Sequence, residues 1–197
     1  TSIWLWGQGR APSMATYQHR FGLKGSVISA VDLVKGLGIC AGLDVINVPG
    51  ATGYLDTNYN GKVAAALEAL RRKDFVFLHV EAPDEASHEG SLKLKIRAIE
   101  DFDAHVVGPC LQRVLEIGNC RVLVAPDHIT ALSTKTHAAG PVPFAMCGTG
   151  IEPDTASHYC ERAAESTGVH IAEGSMLTEH FLTASKISTT SLNQLGK

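Results

Sequence analysis

Residues 74–90 read DFVFLHVEAPDEASHEG, and the predicted fold depends on this stretch. The run from Phe75 to Val80 is apolar and rich in β-forming residues, which is typical of a buried strand. Asp84 and His88 follow, four residues apart, so their side chains converge if the segment turns or begins a helix. A carboxylate oxygen with an imidazole nitrogen suits zinc, manganese or iron better than the all-oxygen shells of calcium or magnesium. The stretch therefore indicates a core strand followed by candidate metal ligands.

Similar strands recur along the chain and alternate with helical patterns. Strands are predicted at 2–6, 25–28, 43–48, 75–80, 121–125 and 142–146, and helices near 13–20, 30–40, 60–72, 91–116, 157–167 and 175–184. This alternation predicts an α/β protein built as a layered sheet with helices on both faces. The metal-binding core is predicted to occupy residues 1–184, and the polar segment 185–197 is predicted to be a frayed tail.

The longest helical pattern, at 91–116, carries one apolar stripe at three- and four-residue spacing. Its members are Leu92, Ile96, Ile99, Val106, Cys110, Leu111 and Val114. The charged side chains between them, at Lys93, Lys95, Arg97 and Glu100, are expected to face water.

The composition narrows the class of protein. The chain has 197 residues, 45% hydrophobic and 19% charged, as in folded globular proteins. The net charge is −3 and basic residues are not clustered, which argues against nucleic acid or an anionic membrane as partner. No apolar run is long enough to span a bilayer. The five cysteines are an odd number without a CxxC pair, which favours reduced thiols and a cytoplasmic protein.

Two further stretches carry residues suited to metals. Asp127 and His128 follow the predicted strand RVLV, and His137 shortly precedes the predicted strand at 142–146. Neighbouring residues at a strand end point apart unless the chain turns there, so Asp127 and His128 converge only in a bend. Each of these residues alone is better explained as an ordinary surface or turn residue. Three Asp/His clusters next to successive strands together favour a metal centre.

The glycine-rich stretch PGATGYLDTNYNGK, at 49–62, leaves two interpretations open. It follows a strand end, where ligands often bind in α/β sheets, and it also has the composition of a turn-rich connection. Arg10, Lys35 and Lys62 lie near glycine-rich turns. Solvation at the surface is the expected role for these cations, in preference to contact with an anionic substrate.

The order of these motifs resembles the alkaline phosphatase superfamily, and within it the archaeal-type branch of cofactor-independent phosphoglycerate mutases. The resemblance covers about residues 3–150. It rests on WLWGQGRAPS, GLKGSVISAVDLVKGLG, VPGATGYLDTNY and HVEAPDEASHEG, and on Asp-His followed by Thr-His before Pro-Val-Pro. It implies two divalent ions, manganese or zinc, with magnesium as a further option. Asp84, His88 and His137 would bind one ion, and Asp127 with His128 would bind the other.

The resemblance also implies an activity. Family members interconvert 3-phosphoglycerate and 2-phosphoglycerate through a phosphoserine, without a bisphosphoglycerate cofactor. The family's nucleophilic serine lies early in the full-length chain, and no serine of this sequence matches that motif. The chain is therefore expected to be a C-terminal part of such an enzyme, inactive alone and prone to self-association. A phosphatase or related phosphoryl-transfer enzyme and a non-catalytic scaffold domain are the alternatives.

Overall fold

The computed structural model describes residues 9–10 and 12–195; the strand predicted at 2–6 lies outside this part. The helices are α1 (Tyr17–Phe21), α2 (Asp32–Cys40), α3 (Tyr59–Leu70), α4 (Ala82–Glu89), α5 (Leu92–Phe102), a π-helical turn (Asp103–Val107), α6 (Gly108–Ile117), α7 (Glu161–Ser166), α8 (Gly174–Thr183) and α9 (Thr189–Gln194). The strands are β1 (Gly25–Ile28), β2 (Asp44–Val45), β3 (Phe75–Leu78), β4 (Arg121–Val124), β5 (Ile129–Ala131), β6 (Thr136–Ala138) and β7 (Ala145–Gly148). Within the described part, no helix is long and apolar enough to cross a membrane.

The strands form a parallel sheet and two antiparallel ribbons. In the parallel sheet the order is β2-β1-β3, while β4 pairs with β7 and β5 with β6 in antiparallel fashion. The predicted α/β class is confirmed. The single layered sheet that the pattern predicts is divided, over residues 9–10 and 12–195, into these three parts, because β3 and β4 each pair on one side only.

The central strand β1 owes its position to its small and branched residues. All four are buried, and Val27 and Ile28 are core residues. On α2, a side chain at Gly38 would run into Val27, so this glycine lets the helix lie directly on the strand. Buried central strands of parallel sheets usually have a continuous apolar sequence. The sequence of β1, GSVI, is close to this because its residues are small or branched.

Helix α4 places Asp84 and His88 on one face, which meets the condition stated for their convergence. Pro83 suits the first turn because its missing N–H would have no partner there. Glu85, also in the first turn, interacts favourably with the positive end of the helix. Gly90 ends the helix with φ 76°, a left-handed conformation that glycine adopts at little cost. The fully buried Ala86 lets α4 pack closely against its neighbours.

The apolar stripe predicted for 91–116 changes face along the helix. Leu92, Ile96 and Ile99 are exposed, whereas Val106 and Val114 are buried. The reason is the π-helical turn Asp103–Val107, whose extra residue rotates the following helix relative to the first part. A stripe that is continuous at a period of 3.6 residues therefore cannot face the core on both sides of the turn.

The strand predicted at 142–146 begins later than expected. Pro141 and Pro143 have no N–H to give to a sheet, and pairing starts only at Ala145. The hairpin of β5 and β6 was not predicted from the sequence, because strands of three residues show too little alternation to be recognised.

The prediction of a frayed tail is wrong for residues 187–195. Ile187 and Leu192 are buried in a core with Leu177, Leu123 and Met146. Helix α9 begins with a capping box, in which Ser188 and Ser191 satisfy each other's backbone N–H groups. The composition of the segment is polar, but its few apolar residues are all used in packing.

Candidate metal centre

Three elements bring the predicted ligands together. Asp84 and His88 lie on α4, His128 lies in the bend between β4 and β5, and His137 lies in β6. The β5–β6 hairpin carries His137 to α4, and backbone pairing sets Thr130 of β5 directly opposite His137. Four of the five predicted ligands thus meet at one face of the molecule.

The side chains of Asp84, His88 and His137 are in mutual contact. The Nε2 atoms of the two histidines are 3.2 Å apart. Oδ2 of Asp84 lies 3.2 Å from Nε2 of His88, and Oδ1 lies 3.4 Å from Nε2 of His137. Two imidazole nitrogens and the two oxygens of one carboxylate therefore lie in one small region.

The His88 ring is oriented by a backbone carbonyl. Its Nδ1–H donates to the carbonyl oxygen of Lys135 at 2.9 Å, which leaves the lone pair of Nε2 directed at the other ligands. This hydrogen bond, with the nearby Asp84 carboxylate, raises the pKa of His88. Lys135 has φ 54°, an uncommon conformation for a residue with a side chain, and its side chain lies over Gly90. The tip of the β5–β6 hairpin therefore packs against the C-terminal end of α4.

Asp127 and His128 lie in a bend, so their side chains converge instead of pointing apart. Oδ2 of Asp127 is 3.4 Å from Nε2 of His128, and Oδ1 accepts the backbone N–H of His128 at 3.1 Å. The His128 and His137 rings lie 3.8 Å apart between centroids. Ligand atoms of Asp84, His128 and His137 all lie within 4.8 Å of one another, so the two predicted ligand sets adjoin. The Asp127 carboxylate is the most exposed of the group.

The donor set fits a divalent transition metal. Ligands at 2.0–2.1 Å around a tetrahedral ion are separated from one another by roughly 3.3 Å. The separations here are 3.2 Å between the two Nε2 atoms, 3.2 Å from His88 Nε2 to Oδ2 of Asp84, and 3.4 Å from His137 Nε2 to Oδ1 of the same carboxylate. Two imidazole nitrogens and a carboxylate this close are stabilised best by a shared cation. This agreement supports the ligand set that the resemblance implies, and its assignment remains a prediction.

Thr130 is a site residue that the sequence analysis missed. Its hydroxyl contacts Oδ1 of Asp84 in a short hydrogen bond and lies 3.2 Å from Nδ1 of His128. The Nζ of Lys95 donates to the Thr130 carbonyl at 2.8 Å, so this lysine does not simply face water as expected. The only signal in the sequence is its position two residues after His128, which does not indicate a role.

A second polar group lies at the end of β3. Lys62 is 1% exposed, contrary to the expected surface role, because its Nζ donates to the carbonyl of His79 at 3.2 Å. Burial lowers the pKa of Lys62, and the nearby Glu81 opposes this shift. Burial also lowers the pKa of His79, whose Nδ1 lies 3.0 Å from the Ser29 hydroxyl. These contacts stabilise the turn from β3 into α4.

The glycine-rich loop at 49–58 is held by its own polar side chains. Asn58 caps α3 by accepting from the Gly61 N–H at 2.9 Å and donates to the Pro49 carbonyl at 2.9 Å. The Thr52 hydroxyl donates to Asp56 at 2.7 Å. These hydrogen bonds account for its composition as a turn-rich connection. The loop also lies against the start of α4, since a side chain at Gly53 would collide with Glu81.

The chain belongs to the Metalloenzyme superfamily, whose family model matches residues 1–184. It is 57% identical over 182 residues to the probable 2,3-bisphosphoglycerate-independent phosphoglycerate mutase of Geobacter sulfurreducens, covering 92% of this chain and 46% of the relative. It is 56% identical over 176 residues to the 2,3-bisphosphoglycerate-independent phosphoglycerate mutase of Methanothrix thermoacetophila, covering 89% and 45%. The predicted resemblance to this group of mutases is confirmed, and the chain spans less than half the length of these relatives.

Solved structures support the same fold. A protein of Pyrococcus horikoshii superposes with a TM-score of 0.76 at 33% identity, covering 80% of this chain and 48% of that protein. A cofactor-independent phosphoglycerate mutase of Thermoplasma acidophilum superposes with a TM-score of 0.57 at 21% identity, covering 94% and 40%. The second likeness concerns the fold alone.

Proposed function

We propose that this chain is the metal-binding portion of a cofactor-independent phosphoglycerate mutase, which interconverts 3-phosphoglycerate and 2-phosphoglycerate. The observation that carries the proposal is the cluster of Asp84, His88, His128 and His137, in a chain more than half identical to proteins named as such mutases. In this proposal Asp84, His88 and His137 bind one divalent ion, and Asp127 with His128 bind a second. Zinc is preferred to magnesium because imidazole is the majority ligand, and manganese is the other ion that the family resemblance implies.

The residues of this chain hold and orient the metal centre and do not supply the nucleophile. When bound, the ions supply the Lewis acidity that activates a hydroxyl and neutralises charge on phosphoryl oxygens. In the neutral His88 ring, the hydrogen bond to the Lys135 carbonyl places the hydrogen on Nδ1 and leaves the lone pair on Nε2 for a metal. The half-exposed position of His137 leaves the centre open to a small anionic substrate. No serine of this chain matches the nucleophile motif of the mutases, so interconversion requires residues outside it.

The proposed setting is the cytoplasm, where a phosphoglycerate is available. The five cysteines are all free, which suits a compartment that keeps thiols reduced.

A phosphatase of the same superfamily is the alternative within enzymes, because the same ligands serve several phosphoryl-transfer reactions. A scaffold domain without metal is the alternative outside enzymes. Both make different predictions from the mutase proposal, and one experiment separates the three.

The test is a chimera with the Methanothrix relative. Its matching segment, 176 residues at 56% identity, is replaced by this chain. We expect the chimera to convert 3-phosphoglycerate to 2-phosphoglycerate after metal is supplied, and this chain alone to show no conversion. The same chimera with His88→Ala should lose activity by at least about a hundredfold, because a first ligand of the metal is gone.

Each alternative has its own outcome in this assay. Release of inorganic phosphate in place of 2-phosphoglycerate favours the phosphatase. A folded chimera, verified by circular dichroism and gel filtration, whose activity neither needs metal nor responds to His88→Ala contradicts the proposed metal centre. Conversion by this chain alone would contradict the proposal that the nucleophile lies outside it.

Self-association of the isolated chain is a further proposal, supported by its surface. Leu92, Ile96 and Ile99 are exposed and recur at the spacing of one helical face, and an apolar patch of this kind tends to be covered. Sedimentation velocity should show a mass that rises with concentration. Ile96→Lys should shift the chain toward monomer, whereas Ile39→Lys, an equally apolar exposed position on α2, should not. A monomer at all concentrations would contradict this proposal.

A further inference from the structure

Thr130 occupies the centre of the site without being a plausible ligand itself. It is 5% exposed, in the middle strand position of β5, directly opposite His137 of β6. Residues directly opposite in an antiparallel pair have side chains on the same face, so the hydroxyl faces the metal centre together with His137. Burying a hydroxyl costs free energy unless it is hydrogen-bonded, so the stability of this position depends on the hydrogen-bond partners of Thr130.

The hydroxyl contacts one residue from each of the two predicted ligand sets. It lies in short contact with Oδ1 of Asp84 and 3.2 Å from Nδ1 of His128. Oδ1 is also the Asp84 oxygen nearest His137, at 3.4 Å from its Nε2. Thr130 is therefore a direct link between α4 and the bend that follows β4.

Hydrogen-bond counting decides the direction of both contacts. A hydroxyl has one hydrogen to donate, and an ionised carboxylate can only accept. The Thr130 hydrogen therefore goes to Asp84, and the second contact requires the Nδ1–H of His128 to donate to Oγ1. A neutral imidazole that carries its hydrogen on Nδ1 has a free lone pair on Nε2. Nε2 of His128 is the nitrogen that lies toward Asp127.

We propose that Thr130 is a positioning residue that joins the two halves of the metal centre: by donating to Asp84 and accepting from His128, it orients the carboxylate and selects the histidine tautomer able to bind metal. The inference rests on the metal centre of the proposed function. The position of the hydroxyl is itself secured, because Lys95 of α5 donates to the Thr130 carbonyl at 2.8 Å. Hydrogen bonds of this kind to ligating groups contribute strongly to metal affinity.

The first test needs no metal. Nitrogen-15 NMR of the histidine rings in metal-free protein at pH 8 reports which ring nitrogen carries the hydrogen. We expect His128 in the Nδ1–H form in the native chain and in Thr130→Ser, and a mixture dominated by Nε2–H in Thr130→Val. Finding Nε2–H in the native chain overturns the inference without any variant.

The second test measures zinc binding by calorimetry on the same proteins. Thr130→Val, which keeps the shape of the side chain, should weaken zinc binding by about 10- to 100-fold. Thr130→Ser should restore most of the affinity, because the hydroxyl alone is responsible. Thr136→Val, at an exposed position of the same hairpin, is the matched control and should bind zinc like the native chain.

The two measurements distinguish failure of the inference from failure of the metal proposal. Zinc binding that is unchanged in Thr130→Val, with His128 still in the Nδ1–H form, overturns the role of Thr130 and leaves the metal centre standing. A native chain that binds no zinc, but whose His128 tautomer changes in Thr130→Val, supports the hydrogen-bonded link and overturns the metal centre.

Discussion

Metal-free protein should gain stability when zinc or manganese is added, and His88→Ala should gain much less. A ligand that binds only the folded chain stabilises it by about 2.7 kcal/mol at a hundred times its dissociation constant. The Nε2 atoms of His88 and His137 are 3.2 Å apart, and each lies within 3.4 Å of one oxygen of the Asp84 carboxylate, so little rearrangement opposes binding. Thermal unfolding with and without metal measures the gain, and calorimetry gives the number of ions per chain.

Two comparisons show whether the stabilisation comes from this cluster: the effects of different metals, and the effect of a control variant. Zinc should stabilise the chain more than magnesium, because two or more imidazoles favour the softer ion. His158→Ala removes a histidine whose ring contacts Ser157 outside the cluster, and it should leave metal binding unchanged. Equal stabilisation of the native chain and His88→Ala would assign the metal to other residues. No stabilisation by any divalent ion would favour the scaffold alternative.

Truncation of Ile187 should destabilise the chain by about 2–4 kcal/mol, as expected for a large aliphatic side chain removed from a core. Ile187 is 1% exposed and packs in the cluster of Leu177 and Leu192. Its backbone also binds the segment that follows β7, because the Ile187 N–H donates to the Gly150 carbonyl at 2.8 Å. The free energy of unfolding of Ile187→Ala, measured in guanidinium chloride, gives the size of the effect.

The matched control is Ile39→Ala, which removes the same atoms from a side chain that is 64% exposed. It should change the free energy of unfolding by less than about 0.5 kcal/mol. Similar small effects at both positions would restore the interpretation of 185–197 as a frayed tail. A large effect at Ile187 alone makes this segment part of the folded unit.

Sequence patterns predict a helix or strand correctly where the residues of that element alone favour it. The sequence predicts β1, β3 and β4 to within two residues at each end. Short apolar runs that are rich in β-branched residues and bounded by polar residues are typical of buried strands. The helix that begins at Tyr59 was predicted within two residues as well.

Prediction failed where distant parts of the chain decide the outcome. The π-helical turn at Asp103–Val107 rotates the apolar stripe, and no periodicity count shows where an extra residue will be placed. Lys62 is buried with its ammonium group donating a hydrogen bond to a carbonyl at the end of β3, and that partner lies 17 residues away. Ile187 is buried because α8 and the β4–β7 ribbon supply the surface it covers.

The candidate site shows the same division. The residues suited to a metal can be identified without a structure, since carboxylates and imidazoles next to strands are visible in the chain, and the motifs indicate the family. The meeting of α4, the bend at 127–128 and the β5–β6 hairpin, and the link that Thr130 makes between Asp84 and His128, are visible only in the folded molecule. This is because donor chemistry belongs to each side chain alone, whereas separations of 3.2–3.4 Å between residues about fifty positions apart depend on how the elements pack.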